Sequence, residues 1–103
     1  MVIAVDFDGT LFKNKYPLVG EPIYPVINYI KRAKEEGNKI ILWTCRQGQD
    51  LAVALEACNQ IGLTFDAVNC NLDERIERYN GNDSRKVGAD LYIDDKAVRP
   101  EEL

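Results

Sequence analysis

Short apolar runs with strand character alternate along this chain with stretches that are apolar at every third or fourth residue, and few folds accommodate that alternation. Residues 2–7 (VIAVDF) are β-branched and nearly continuous in apolar character, as in a strand covered on both faces. Residues 8–21 hold Gly9, Pro17 and Gly20 and read as a loop with room for a small hairpin. From Pro22 the spacing turns helical: Val26, Ile27, Ile30 and Ala33 share a face, and Gly37 supplies a stop. Residues 39–44 (KIILWT) form a second expected strand. Leu51, Ala54, Leu55, Cys58 and Ile61 then mark a second amphipathic helix, with Asp50 as its expected N-cap and Gly62 as its stop. A short strand at 65–68, a short helix near 72–79 and a last strand at 89–94 (ADLYID) complete the pattern. Strands joined by helical crossovers predict an α/β domain with a mostly parallel sheet. At 103 residues, without repeat or linker, the chain is expected to be one domain spanning 1–103.

Composition removes several function classes. Apolar residues make up 46% of the chain and charged residues 29%, enough for a core and unlike a disordered segment. A net charge of −4 argues against non-specific binding to nucleic acid or anionic membrane. No apolar run approaches the ~20 residues of a membrane span, and the first residues lack a signal-peptide pattern. Cys45, Cys58 and Cys70 are odd in number with no CxxC pair, which fits reduced thiols in the cytoplasm better than disulfides or zinc. There is no histidine, so serine–histidine and cysteine–histidine catalysis are both excluded.

The acidic groups sit where parallel sheets build sites. Asp6 and Asp8 end the first expected strand, and Asp94 and Asp95 end the last. If the first strand is central, with the second on one side and the last on the other, Asp6, Asp8, Thr44, Asp94 and Asp95 converge at the carboxyl ends. Carboxylates so gathered repel unless a cation or protons intervene. Hard oxygen donors without histidine favour Mg²⁺ over zinc. As an alternative, each aspartate alone is a common cap or turn former.

The run Asp6-Phe7-Asp8-Gly9-Thr10-Leu11 resembles the DxDGT nucleophile motif of the haloacid dehalogenase (HAD) superfamily of phosphatases and phosphotransferases. The superfamily's second motif, a Thr or Ser ending the next strand, is matched by Thr44 in Ile41-Leu42-Trp43-Thr44. Its third, a Lys ahead of the last strand, is matched in position by Lys86, with Lys39 and Arg85 as other available bases. Its fourth, an acidic pair after an apolar strand, is matched by Asp94-Asp95. The runs LWTCR, FDAVN and ADLYIDD resemble a group of small members of that superfamily. The resemblance implies a three-layer α/β/α, Rossmann-like domain without a cap.

It also implies roles. Asp6 would be the nucleophile that becomes an aspartyl phosphate, and Asp8 the general acid and base. Mg²⁺ would be held by Asp6, the backbone carbonyl of Asp8, and Asp94, with Asp95 acting through water. Thr44 would hydrogen-bond a phosphate oxygen and Lys86 neutralise charge. Gly9 and Thr10 would bring backbone close to the phosphate.

Weaker candidates lie around these. Arg46 is expected to reach a substrate anion or to be an exposed structural arginine. Cys45 reads as a small buried residue rather than a nucleophile, and Trp43 as a core residue. Lys13, Lys15 and Tyr16 read as a solvated loop, and Asn69 and Asn71 as turn formers or rim residues. Only about a dozen residues separate Leu11 from the first expected helix, too few for a cap. An open site suits a phosphorylated small molecule or macromolecule, or a cap from another subunit. The missing outer strands leave a sheet edge that a homo-oligomer would cover. Two alternatives compete with a phosphomonoester hydrolase: a metal- or phosphate-binding interaction module that turns over too slowly to matter, and a signalling receiver. A receiver takes its phosphoacceptor from the third strand, where Asp66 lies near the start rather than the end.

Overall fold

The N-terminal apolar run becomes the second strand from one edge of a parallel sheet. In the computed structural model, which describes residues 1–103, the elements are β1 (Val2–Val5), β2 (Phe12–Lys15), β3 (Leu18–Pro22), α1 (Tyr24–Glu35), β4 (Lys39–Leu42), α2 (Gly48–Gln60), β5 (Ala67–Val68), α3 (Asp73–Arg78) and β6 (Leu91–Ile93), followed by a 3₁₀ turn at Pro100–Glu102. The sheet order is β5-β4-β1-β6, and every pairing within it is parallel. β1 pairs with β4 from Val2↔Lys39 to Val5↔Leu42, and with β6 from Ile3↔Leu91 to Val5↔Ile93. The chain thus lays β4 and β5 on one side of β1 and then crosses to the other for β6. That reversal opens a crevice at the carboxyl ends of β1 and β6.

Strand alternation divides the apolar residues between two faces. Ile3, Val5, Ile40 and Leu42 pack with Ile27, Ile30 and Ala33 of α1 and with Ala54 and Cys58 of α2. Ala4 and Ile41 point the other way, into a smaller cluster with Leu72 and Val87. Full burial of each large aliphatic side chain stabilises the fold by about 1.5–3 kcal/mol. Both expected helix stops are met: Gly37 and Gly62 follow the helices with φ of +92° and +78°, a conformation glycine adopts without steric cost.

Several boundaries and placements differ from expectation. β4 stops at Leu42 and β6 spans only Leu91–Ile93, although ladder bonds run one residue further, from Trp43 N to Val5 O and from Asp6 N to Ile93 O, each at 2.9 Å. Beyond them the backbone turns to side chains: the Thr44 amide donates to Asn69 Oδ1 at 2.8 Å. Helix α2 begins at Gly48 and Gln47 precedes it with no side-chain cap, so Asp50 is not the N-cap. Asp50 lies in the first turn instead, where the helix dipole favours a carboxylate. Trp43 is only partly buried against the smaller cluster, because the loop above it leaves one side open. Residues 12–22 form a small antiparallel hairpin, β2–β3, within the stretch expected to be a loop with room for one.

Candidate functional site

Asp6 extends β1 by one residue, and Asp94 and Asp95 follow β6 directly. Because β1 and β6 are neighbours in register, the three side chains meet in the crevice. One carboxylate oxygen from each of Asp6, Asp94 and Asp95 lies within 4.8 Å of the other two. Residues from opposite ends of the chain therefore share one small acidic site. Asp6 is half-buried while Asp94 and Asp95 are exposed. Burial pushes the Asp6 carboxyl up to about 6; the Phe7 amide opposes it, and the charges of Asp94 and Asp95 each add a smaller upward push.

Gly9 and Thr10 serve this cluster. Gly9 has φ +84°, and a Cβ there would press into the Asp95 carboxylate, with its Cγ only 2.8 Å away. Its amide donates to Phe12 O at 2.7 Å. The buried Thr10 hydroxyl accepts from the Asp95 amide at 3.1 Å and donates to Asp95 Oδ1 at 3.4 Å. Gly9 thus leaves room for the Asp95 side chain, and Thr10 bonds it in place.

Asp8 lies outside the cluster. Its two carboxylate oxygens accept from Arg46 Nε and Nη2, each at 2.8 Å. Arg46 is 1% exposed. Its remaining N–H groups donate to the carbonyls of Pro17 at 3.0 Å, Leu18 at 2.8 Å and Asp50 at 3.1 Å. The guanidinium has five N–H groups, and all are taken. This corrects both expectations for Arg46: it is neither an exposed residue nor free to bind a substrate anion. The guanidinium also lies over the rings of Phe7 and Tyr16, at 4.9 and 5.2 Å from their centroids, and the Tyr16 hydroxyl donates to Asp50 at 2.9 Å. Arg46 thus fastens the tip of the β2–β3 hairpin and the start of α2 to Asp8.

Thr44 is partly exposed at the end of β4, with its Oγ1 accepting from the Arg46 amide at 3.1 Å. It lines a cleft of about 550 Å³ with Trp43, Cys45, Gln47, Asn69, Asp83, Ser84 and Arg85. Cys45 is exposed there, not buried as expected, because the chain turns outward before α2. Lys86 is exposed and stacks over Tyr92, with Nζ 5.3 Å from the ring centroid. It borders a separate groove that includes Asp94. The two bases considered ahead of the last strand, Arg85 and Lys86, therefore flank the site from different sides.

Sequence reasoning undervalued two asparagines. Asn69 adopts φ +54° and orients Thr44 through its amide, as above. Asn71 is buried. Its Nδ2 donates to Asp83 Oδ1 at 2.7 Å and its Oδ1 accepts from the Gly88 amide at 2.6 Å. These bonds fix the loop that carries Arg85 and Lys86, and the Asn71 backbone amide, donating to Asp83 Oδ1 at 3.0 Å, together with its side-chain amide holds the Asp83 carboxyl below the usual range. The legible signal was polar amides directly after an apolar strand; which loop they grip is a tertiary matter.

No protein-family model and no curated protein matches the chain. Among solved structures, a conserved protein from Bacteroides thetaiotaomicron is 43% identical, with 95% of this chain and 78% of that one covered and a TM-score of 0.83. The chain belongs to the same family as that protein. The similarity spans nearly the whole chain and is not confined to one local motif.

Proposed function

We infer that the chain is a capless, Mg²⁺-dependent phosphomonoester hydrolase of the haloacid dehalogenase type, with a three-layer Rossmann-like core, acting on a phosphorylated substrate in the cytoplasm. The observation that carries the reading is the meeting of Asp6, Asp94 and Asp95 within 4.8 Å at the carboxyl ends of two parallel strands. The donor set suits the metal: three carboxylates gathered at one point and no histidine. Asp6, Asp94 and Asp95 would hold Mg²⁺ together with the Asp8 backbone. When bound, it would neutralise charge on nucleophile and phosphate.

An Asp6 oxygen attacks phosphorus, the bond to the leaving oxygen breaks, and the phosphoryl group rests on Asp6. Asp8 gives the leaving oxygen a proton, then takes one from the water that cleaves the aspartyl phosphate. That releases inorganic phosphate and restores both residues. Arg46 occupies one lone-pair direction on each Asp8 oxygen and leaves the others open, so it is a positioning residue for Asp8. The Thr44 hydroxyl and the base of Lys86 or Arg85 stabilise the phosphate oxygens.

One observation favours a second reading, a metal- or phosphate-binding module with negligible turnover: Asp8 is paired through both oxygens in a largely buried site. Hydrolysis of a generic aryl phosphate, with and without Mg²⁺, separates the two. Turnover that needs Mg²⁺ and is lost in Asp6→Asn supports the hydrolase. Failure of the wild type on a broad phosphate panel, with Mg²⁺ still bound, supports the module.

A further inference from the structure

Thr44 and Arg85 open onto a 550 Å³ cleft whose other walls, Trp43 and Gln47 among them, have no task in the chemistry above. Its relation to the nucleophile follows from register. Val5 pairs with Leu42, and the next rung is closed by the bond from Trp43 N to Val5 O, so Trp43 stands beside Asp6 on the adjacent strand, about 4.8 Å away across the ladder. Ala4, Ile41 and Trp43 belong to one cluster on one face of the sheet. Alternation puts Asp6, two residues after Ala4, on that same face. The indole is thus the immediate neighbour of the nucleophile, on the side opposite Asp94, and it forms one wall of the open cleft.

The other walls are polar. Asn69 and Ser84 are engaged in bonds that shape the cleft, and Asp83 is tied to Asn71. The exposed side chains of Cys45, Gln47 and Arg85 remain to meet a ligand. A flat apolar wall, an amide that both donates and accepts, and a guanidinium beside a phosphate site are together what a nucleobase ester requires. Phosphoserine and short aliphatic esters would leave the indole unmatched, and a sugar ring would offer it less flat area than a base. A long polyanion is disfavoured by the net charge of −4.

We propose that this cleft is the leaving-group subsite and that it takes a free nucleoside monophosphate, its base stacked on Trp43. The position of the phosphoryl group rests on the hydrolase reading; the stacking does not. Trp43 is the single tryptophan of the chain, so its fluorescence reports on this cleft alone. The test is titration of the Asp6→Asn protein in Mg²⁺ with adenosine monophosphate, cytidine monophosphate and ribose 5-phosphate, excited at the red edge of the indole band. Saturable quenching by at least one nucleotide, at about tenfold tighter affinity than ribose 5-phosphate, is expected. Arg85→Gln should weaken that affinity severalfold without altering the starting fluorescence. Trp43→Leu, which keeps an apolar side chain on Ala4 and Ile41, should lower wild-type kcat/KM for the nucleotide about tenfold and leave that for glycerol phosphate unchanged. Absent quenching, equal affinity for ribose 5-phosphate, or equal loss on both esters would overturn the proposal, even if small esters are hydrolysed. Nucleotide quenching in a protein that hydrolyses nothing would leave the subsite standing and sink the hydrolase.

Discussion

Asp6 carries the conflict on which the site depends. Its carboxyl, ordinarily near 3.8, is raised to about 6 chiefly by burial and then by Asp94 and Asp95. Between those values the folded protein holds a proton that the unfolded chain has already released. Stability from this group is therefore present at low pH and lost as pH rises through about 6 in the metal-free protein. Asp6→Asn removes the charge with little change of shape. Metal-free Asp6→Asn should be more stable than wild type at neutral pH by about 1 kcal/mol, a figure reduced for solvent screening of a half-buried group. The gap should vanish near pH 4. Urea unfolding of both proteins in chelator at the two pH values measures it, and an equal gap at both would refute the electrostatic cause. Cys58 shows the same physics without function: burial pushes its thiol up to about 12, so it stays an inert core residue.

At the scale of elements, the base of the hairpin is anchored by Phe12 in the core and its tip by Arg46. Strands β2 and β3 bond to each other, and a two-stranded ribbon is marginal alone. Its tip is fixed by the Arg46 bonds to Pro17 and Leu18 and by the Tyr16–Asp50 bond. Replacing Arg46 by Met preserves length but leaves the Asp8 carboxylate uncompensated. A loss of about 3–5 kcal/mol is expected, as for other broken buried pairs. Asp8→Asn with Arg46→Met should cost clearly less than the sum of the two single changes. Amide exchange at residues 13–19 should quicken in Arg46→Met more than at β1 or β4. Uniform quickening would mean that Arg46 supports the core in general and not the hairpin in particular.

For the whole molecule, folding and metal binding should be coupled, because the acidic cluster exists only when β1 and β6 are paired. A ligand that binds only the folded state at about a hundredfold excess over its Kd adds about 2.7 kcal/mol. For a domain of this size that corresponds to a rise in Tm of about 10 °C or more. Thermal melts with and without Mg²⁺ should show such a rise in wild type and little of it in Asp94→Asn. A rise of the same size in both would place the metal elsewhere. No helix is long and apolar enough to cross a membrane.

The alternation of apolar runs and helical spacing determined the class of fold, because a strand covered on both faces and an amphipathic crossover leave unmistakable periods in sequence. Gly37 and Gly62 were legible for the same local reason. The grouping of Asp6 with Asp94 and Asp95 was legible only under the assumption that β1 lies between its two partners, which pairing across the sheet had to supply. What tertiary structure alone decided was how polar side chains divide their hydrogen bonds. Asp8 goes to Arg46 and not to the acidic cluster, Thr10 to Asp95, and Asn71 to the loop before β6. Such partners lie 17 to 85 residues apart, and side-chain bonds of that span leave no period in the sequence to read.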